Sequence, residues 1–302
     1  MPMKPQELRA TPPALTQHAL KWIACVAMTL DHGVKALHIR GTARFVCSKV
    51  IGRIAFPLFC FLLAEGFFHT RDRKKYLLRV VLFALISEIP FDLALFGGRR
   101  WYPGYQNTLW SLSLGLLLFF LLNKVEEYRD LSALTARVIK AALVGLVCMA
   151  AHLLHTDYGA RGILCLAAFY FLRTVKPKSL SGIWACVLIN LNRFNNPGAF
   201  LSLLPLHFYN GERGSSGGKY FFYIYYPAHL FLLYLLAHYA LPPQSEPIGS
   251  KAEHRHAVRR QVIGDMLWLT IAFPFHGLVG RWDLVASAKL CGMAVEHEGI
   301  VL

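Results

Sequence analysis

Two histidines of the chain lie inside apolar segments, where an ionisable side chain is unfavourable. His32 follows Asp31 in MTLDHGVKAL, and His229 lies in FYIYYPAHL. A charge at the centre of a membrane helix costs about 2.5–3.5 kcal/mol on insertion scales, so these positions are candidates for function. Because histidine exchanges a proton near neutral pH, His32 is a candidate general base, with Asp31 either orienting it or pairing with a cation elsewhere in the fold. The alternative is a salt bridge that only fixes helix packing.

A second apolar segment, IGRIAFPLFCFLLAEGFFHTR, carries three further ionisable residues. Pro57 lacks a backbone amide hydrogen and is expected to kink the helix, which frees a carbonyl beside the Arg53 guanidinium. Glu65 and His69 are four residues apart, so they share a helix face and can touch. We predict that Arg53 and Glu65 belong to a reactive site. The alternative for Arg53 and His69 is an ordinary position at the membrane interface.

The segment LISEIPFDL places two carboxylates four residues apart, with Pro90 between them. Carboxylates at this spacing either share a proton or meet a cation such as Arg53. In the first case Glu88 and Asp92 supply a general acid or base, and in the second they form a structural ion pair. The sequence leaves both alternatives open.

Basic residues beside these segments are candidates for binding phosphate. The stretch TRDRKKYLLR at 70–79 is the densest basic cluster between apolar runs, and it follows His69 directly. A Gly/Ser-rich turn with Arg213 and Lys219 precedes the helix that carries Tyr226, and the backbone amides of such a turn can also hold phosphate. The predicted ligand-binding residues are His69, Arg71, Arg73, Lys74, Lys75 and Tyr226.

The elements that must position these residues are apolar runs long enough to cross a bilayer. Of the 302 residues, 55% are hydrophobic, and the mean hydropathy of +0.41 excludes an ordinary soluble domain, a disordered chain and a collagen-like chain. Since a span needs about 20 apolar residues, the sequence predicts an all-α, polytopic transmembrane helix bundle of about eight to nine helices. The candidate helices are residues 19–38, 50–69, 76–96, 108–123, 134–153, 158–174, 179–192, 199–209 and 220–241.

Three parts of this pattern differ from a simple row of spans. The candidates 179–192 and 199–209 are short and interrupted by prolines, so we expect one of them to be re-entrant. The glycines of TDYGARGIL at 156–164 are interpreted as a structural turn into a helix. From about residue 242 the chain is polar and contains prolines, and 266–280 is a weak candidate for another span.

The charge distribution indicates membrane topology rather than a nucleic-acid partner. Lys and Arg number 32 against 17 Asp and Glu, which gives a net charge of +15. The basic residues stand mostly in short gaps between apolar runs, where the positive-inside rule places them. With the cluster at 70–79 in the cytoplasm, the N-terminal segment 1–18 is cytoplasmic as well. We predict a multi-pass membrane domain over 19–241, followed by a linker and tail of unassigned role over 242–302.

The ionisable residues predict one polar pocket inside the bundle, because they lie in the first three apolar segments and in the segment near 220–241. The set holds histidines, carboxylates and an arginine, but no nucleophilic Ser or Cys motif. The seven cysteines show neither CxxC nor metal-ligand spacing, so we interpret them as packing residues and expect no metal. Such a set suits removal of a proton from an attacking amine or hydroxyl, with cations to hold a negatively charged donor.

The same segments resemble the TraX family of integral membrane proteins, which is named for a conjugal-transfer protein associated with N-acetylation of F-type pilin. The resemblance covers roughly residues 19–241 and rests on MTLDH, IGRIAFPLFCFLLAEGFFHTR, KKYLLRVVLFALISEIPFDLALF, DYGARGIL and FYIYYPAHL. It implies a polytopic transferase of the bacterial inner (plasma) membrane that uses acetyl-CoA as co-substrate. More distantly, the chain is similar to acyltransferase-3 membrane acyltransferases, which carry a key histidine in their first helix, and His32 is the matching position.

We therefore predict an acetyltransferase that moves an acetyl group from acetyl-CoA to an amine, such as a pilin-like N-terminus, or to a hydroxyl of a membrane or envelope acceptor. His32 would take the acceptor's proton, and Arg53 would stabilise the oxyanion or orient the acidic residues. The predicted catalytic residues are Asp31, His32, Arg53, Glu65, Glu88, Asp92 and His229.

Two other functions remain open at this point. In a proton-coupled transporter, Asp31, Glu88 and Asp92 would form a proton relay. In an assembly factor for pilin or another membrane partner, the buried charges would only hold the helices together.

Overall fold

The computed structural model describes residues 14–128, 130–191, 196–214 and 220–240, and these residues form helices joined by short connections. The predicted all-α class is confirmed. In chain order the α-helices are α1 (Gln17–Ala36), α2 (Gly41–Arg44), α3 (Ala55–His69), α4 (Arg73–Leu95), α5 (Thr108–Glu127), α6 (Ala133–Leu153), α7 (Gly159–Phe171), α8 (Lys178–Ile189), α9 (Leu203–His207) and α10 (Phe221–Leu235). Residues 1–13, Lys219 and the predicted linker and tail at 242–302, with the candidate span 266–280, lie outside the described residues.

Polar side chains at the predicted helix starts act as N-caps. Thr16 accepts a hydrogen bond from the Ala19 amide at the start of α1, and Asn107 accepts one from the Leu109 amide at the start of α5. Asp72 caps α4 in the same way, and the bond from the Lys75 amide lowers the pKa of that carboxyl. The three helices begin at residues 17, 73 and 108, within three residues of the starts predicted at 19, 76 and 108.

Four helical segments of the described part are long and apolar enough to cross a membrane, which identifies a membrane protein. They are Gly41–His69, Thr108–Glu127, Ala133–Leu153 and Phe221–Tyr239. The helices α1 and α4 have comparable lengths of 20 and 23 residues but carry more polar side chains.

The segments 179–192 and 199–209 do not form two full spans. The helix α8 has 12 residues, and the chain then folds into a 3-10 turn, Pro197–Ser202, and the five-residue α9. Pro197 and Pro205 account for the interruption, because proline cannot donate the helical hydrogen bond. Lys178, which starts α8, and His207, which ends α9, line the same cavity, so the chain leaves and returns at one end of the bundle.

The kink expected at Pro57 is replaced by a change of helix type. A π-helical turn, Phe45–Ile51, and a 3-10 turn, Gly52–Ile54, lead into α3, so Pro57 lies in the first turn of that helix. A proline is tolerated there because the amides of the first turn have no intrahelical partner.

The helix α3 lies at the centre of the core, where it packs against α1, α5 and α7. Its buried side chains include Phe56 and Phe67, and Phe67 meets Phe119 of α5 edge to face with ring centroids 5.6 Å apart. The helix α10 packs against α4 and α1. This arrangement brings the C-terminal half of α1 beside α10 and beside the turn at Gly52.

The bundle has two ends, which we define by their residues. The basic end carries residues 70–79, which comprise the α3–α4 connection and the first turns of α4, and the distal end carries the α4–α5 connection at 96–107. The helix α1 runs from the basic end to the distal end, since Gln17 donates to the Glu212 carbonyl and residues 210 and 211 lie beside Glu65 and His69 of α3.

Gly198 allows the 3-10 turn Pro197–Ser202 to lie directly on the π-helical turn. A Cβ at Gly198 would overlap the carbonyl oxygen of Val50 and would lie 2.7 Å from its carbonyl carbon. We therefore expect Gly198→Ala to lower the free energy of unfolding by about 1–3 kcal/mol, because backbone cannot move aside as a side-chain tip does. The measurement is thermal unfolding of the detergent-solubilised protein. Gly33→Ala is the control, since its Cβ would meet Leu233 at an ordinary 3.9 Å; equal stability of the two variants would contradict the prediction.

Candidate functional site

The two histidines of the apolar segments meet between α1 and α10. His32 Nδ1 lies 2.9 Å from His229 Nε2, and the rings stack with their centroids 5.2 Å apart. Both side chains are buried, with 6% and 7% exposure. The residues are 197 positions apart in the chain, so the packing of α10 on α1 creates the pair.

The hydrogen bonds of this pair define which ring nitrogens carry hydrogen. His229 Nδ1 lies 2.9 Å from the Tyr225 carbonyl oxygen, which can only accept, so His229 Nδ1 must donate. In the uncharged ring, His229 Nε2 is then an acceptor, and His32 Nδ1 donates to it. His32 Nε2 is left with a lone pair. This is the protonation state that a general base requires.

Tyr225 and Tyr226 of α10 complete the surroundings of the histidine pair. The Tyr225 hydroxyl lies 2.7 Å from the Thr29 hydroxyl of α1, and its ring stacks on His229. The Tyr226 ring lies edge-on to both histidines, with centroids 6.3 Å from His32 and 5.6 Å from His229. Tyr226 therefore belongs with the histidine pair and not with the basic segment at 71–75, with which it was grouped from the sequence.

Asp31 lies beside the pair but does not orient His32. Its Oδ2 forms an ion pair with Lys35 Nζ at 2.6 Å, one turn further along α1. A Cβ on Gly52 would lie 2.5 Å from the Asp31 Cβ, so the glycine lets the turn before α3 approach this residue. Arg53 follows Gly52 and interacts electrostatically with Asp31. Of the two roles proposed for Asp31, the structure shows pairing with cations.

Arg53 also faces a cluster of residues that the sequence did not mark as a site. It interacts electrostatically with Asp157, Tyr158 and Tyr105. Asp157 accepts hydrogen bonds from the Tyr105 hydroxyl and, at 2.5 Å, from the Thr108 hydroxyl at the start of α5. Burial raises the pKa of Tyr105 well above its usual range, so this hydroxyl stays a neutral donor. Asp157 opens the DYGARGIL segment, which was interpreted as a structural turn only.

Glu88 and Asp92 neither bind each other nor pair with Arg53 through a hydrogen bond in the described part of the chain. Glu88 accepts hydrogen bonds from the Asn107 amide and, at 3.0 Å, from the Trp110 indole. Asp92 accepts one from the Tyr102 backbone amide at 2.6 Å. The structure thus shows neither of the two predicted arrangements, a shared proton or an ion pair with Arg53. Instead, uncharged donors at or next to the distal end bind one oxygen of each carboxylate.

Glu65 and His69 lie at the basic end, so they do not share a pocket with His32. The expected contact within α3 is present, since His69 Nδ1 lies 2.8 Å from the Glu65 carbonyl oxygen and 4.0 Å from its Oε2. Arg53 and Glu65 are twelve residues apart along one helical segment, or roughly 18 Å at about 1.5 Å per residue. Instead of the expected single pocket, the structure places the ionisable residues at two ends of the bundle.

A cavity of about 540 Å³ opens beside Glu65 and His69. Its other basic lining residues are Arg173, Lys176, Lys178 and His207. Glu65 accepts a hydrogen bond from the Tyr209 hydroxyl at 3.3 Å and lies 3.7 Å from Lys178 Nζ. Of the predicted ligand-binding residues, only His69 lies on this cavity wall.

The basic segment that follows α3 is largely engaged in local contacts. Arg73 donates to the Phe67 carbonyl oxygen and places its guanidinium 4.5 Å from the Phe67 ring centroid. Lys75 pairs with Asp72 at 3.2 Å. Arg71 and Lys74 are exposed. Arg213, expected in a phosphate-binding turn, accepts a hydrogen bond from the His18 amide through its carbonyl.

Comparisons with known proteins identify a family for this chain. The family model described as TraX protein matches residues 16–237. The chain is also 32% identical over 236 residues to the probable fimbrial assembly protein FimC, serogroup H1, of Dichelobacter nodosus, and the match covers 71% of this chain and 92% of the relative. No solved structure matches the chain.

Proposed function

The chain belongs to the TraX family, and from this premise we propose that it is a membrane acetyltransferase that uses acetyl-CoA as donor and an amine or hydroxyl as acceptor. The observation that carries the proposal is the buried His32–His229 pair. Its hydrogen bonds leave His32 Nε2 with a lone pair inside an apolar bundle. A free imidazole nitrogen in such a place suits proton removal from an attacking nucleophile.

The proposed reaction is a direct acyl transfer. The acceptor nitrogen or oxygen attacks the thioester carbonyl, a C–N or C–O bond forms, the C–S bond breaks, and CoA leaves as a thiolate. His32 Nε2 takes the acceptor's proton and can later return it to the thiolate. His229 Nε2 accepts the hydrogen bond from the Nδ1–H group of His32 and thereby stabilises the imidazolium as it forms. Arg53, on the turn beside Asp31, supplies a fixed positive charge for the oxyanion.

The acidic residues have supporting roles in this proposal. Asp31 and Asp157 interact electrostatically with Arg53 and support its positive charge. Glu88 and Asp92 fix the start of α5 and the connection before it, which carry Thr108 and Tyr105 toward Asp157. Glu65 belongs to the cavity at the basic end and supports donor binding there.

We further propose that the protein resides in the bacterial inner membrane with the basic end in the cytoplasm, where acetyl-CoA is found. Basic residues between spans favour that orientation. The acceptor is proposed to be a pilin-like or other envelope protein, since the relative from Dichelobacter nodosus is named as a probable fimbrial assembly protein. The histidine pair then lies toward the opposite face of the membrane, where such an acceptor would arrive.

The proposed function is tested by label transfer in membranes. Vesicles from cells that produce the protein are incubated with acetyl-CoA labelled in the acetyl group, and label is counted in protein and lipid after CoA is removed. We expect label above that of vesicles that carry His32→Gln. Equal labelling with the two proteins would contradict the proposal and favour the proton-coupled transporter.

A further inference from the structure

The cavity at the basic end has the size and the charge of a site for a small anion-bearing molecule. Its volume of about 540 Å³ lies within the range of roughly 300–1,000 Å³ that is typical of small-molecule sites. Arg173, Lys176 and Lys178 bring permanent positive charges to its wall, and Glu65 is the carboxylate among the lining residues. The wall therefore carries an excess of positive charge even with its histidines neutral.

The arginine of this wall is held in a fixed position. The Arg173 guanidinium carbon lies 4.9 Å from the Phe68 ring centroid and 5.0 Å from that of Tyr170. The same guanidinium donates to the Tyr170 carbonyl oxygen at 3.1 Å and to Glu126 at 3.0 Å. Because these contacts order the side chain in advance, an arriving anion would lose little free energy to ordering it.

Both lysines can donate further hydrogen bonds to a ligand. Lys176 is exposed, and the described residues provide it with no ion pair or hydrogen bond. Lys178 Nζ donates to the Arg173 carbonyl oxygen at 2.5 Å and forms an ion pair with the Glu65 carboxylate at 3.7 Å, a distance too long for a hydrogen bond. An ammonium group has three donors, so Lys178 retains hydrogens for a phosphate oxygen.

The start of α8 adds a further positive contribution to the cavity. Pro177 precedes the 12-residue helix without a side-chain cap, and both Pro177 and Lys178 line the cavity. The first amides of a helix lack intrahelical partners, and the helix dipole makes this end positive. The basic side chains and the positive end of α8 thus line the same cavity.

We propose that this cavity binds the phosphate groups of a phosphorylated ligand, either a nucleotide coenzyme such as CoA or the headgroup of an anionic lipid. For CoA as the acetyl donor, this inference rests on the proposed function. The phosphates are then bound by Arg173, Lys176 and Lys178 and not by the segment 71–75. No residue of that segment lines the cavity.

The test measures binding of CoA, without its acetyl group, to the full-length protein in nanodiscs of uncharged phosphatidylcholine. The variant Lys176→Gln/Lys178→Gln removes the two lysines, and Lys74→Gln/Lys75→Gln is the control with the same charge change outside the cavity. We expect the Kd for CoA to rise about tenfold or more in the cavity variant, since each charge-assisted bond to phosphate contributes about one such factor. The control should bind as the wild type does, and Lys176→Arg/Lys178→Arg should bind CoA nearly as tightly as the wild type.

A second arm separates the two sources of phosphate. If the wild-type protein binds no CoA but retains phosphatidylglycerol through detergent exchange, and the cavity variant loses that lipid, the phosphate is that of a headgroup. Equal retention of both ligands by the wild type and the cavity variant, or a loss confined to the Lys74/Lys75 control, would overturn the proposal. CoA binding that depends on Lys176 and Lys178 in a protein that transfers no acetyl group would support this site and remove only the proposed function.

Discussion

Replacement of His32 by glutamine is expected to lower the rate of acetyl transfer by about 100- to 10,000-fold, the usual contribution of a general base. Glutamine fills a similar volume and keeps a polar tip, but it cannot take a proton from the acceptor. The protein should still insert and purify as the wild type does. The measurement is the rate of label transfer from acetyl-CoA in vesicles with matched protein amounts. His18→Gln, in the same helix about 21 Å away, is the control and should retain activity.

Two substitutions of His229 test whether its hydrogen bond with His32 contributes to the reaction. In His229→Gln, the amide oxygen can still accept the hydrogen of His32 Nδ1, so much of the activity should remain. In His229→Leu nothing accepts that hydrogen, and the rate should fall toward that of His32→Gln. If the glutamine and leucine variants were equally active, the His32–His229 hydrogen bond would have no part in the reaction.

Replacement of Arg53 by glutamine is expected to lower the free energy of unfolding by about 1–3 kcal/mol, because it removes a positive charge from a partly buried group of carboxylates. Arg53 interacts electrostatically with both Asp31 of α1 and Asp157 before α7. Without it, Asp31 keeps the ion pair with Lys35, whereas Asp157 loses the interaction with the Arg53 charge and keeps the hydrogen bonds from Tyr105 and Thr108. Stability is read from thermal unfolding in detergent, with the exposed Arg44→Gln as control.

A double variant distinguishes a charge effect from a packing effect. If the loss of stability in Arg53→Gln comes from the negative charge of Asp157, Arg53→Gln/Asp157→Asn should recover part of the lost stability. A double variant whose loss equals the sum of the two single losses would show that Arg53 and Asp157 do not interact.

Features that depend on neighbouring residues were predictable from the sequence. The helix α1 was expected at 19–38 and lies at Gln17–Ala36, because an apolar run between a threonine cap and a basic end defines a helix locally. The contact between Glu65 and His69 followed from their spacing of four residues. Pro197 and Pro205 likewise indicated the broken helix that the structure contains.

Features that depend on which helices pack together were not predictable. Nothing in the sequence states that α10 lies on α1, so the contact of His32 with His229 appears only in the fold. Asp157 was interpreted as part of a turn, although it binds Tyr105, which is 52 positions away in the chain. Asp157, the first residue of DYGARGIL, was the signal available in the sequence, since a carboxylate inside an apolar region needs a partner. The separation of Glu65 from His32 is likewise a matter of helix direction, because α1 and α3 run in opposite directions.

In the proposed reaction, acetyl-CoA is the donor and His32 is the base. The most direct measurement is release of free CoA from acetyl-CoA by the purified full-length protein, with and without an added amine-bearing peptide, in the wild type and in His32→Gln. We predict peptide-dependent release of CoA by the wild type and its loss in the variant, with CoA still bound by both proteins. No release by the wild type, or equal release by the variant, would contradict the account.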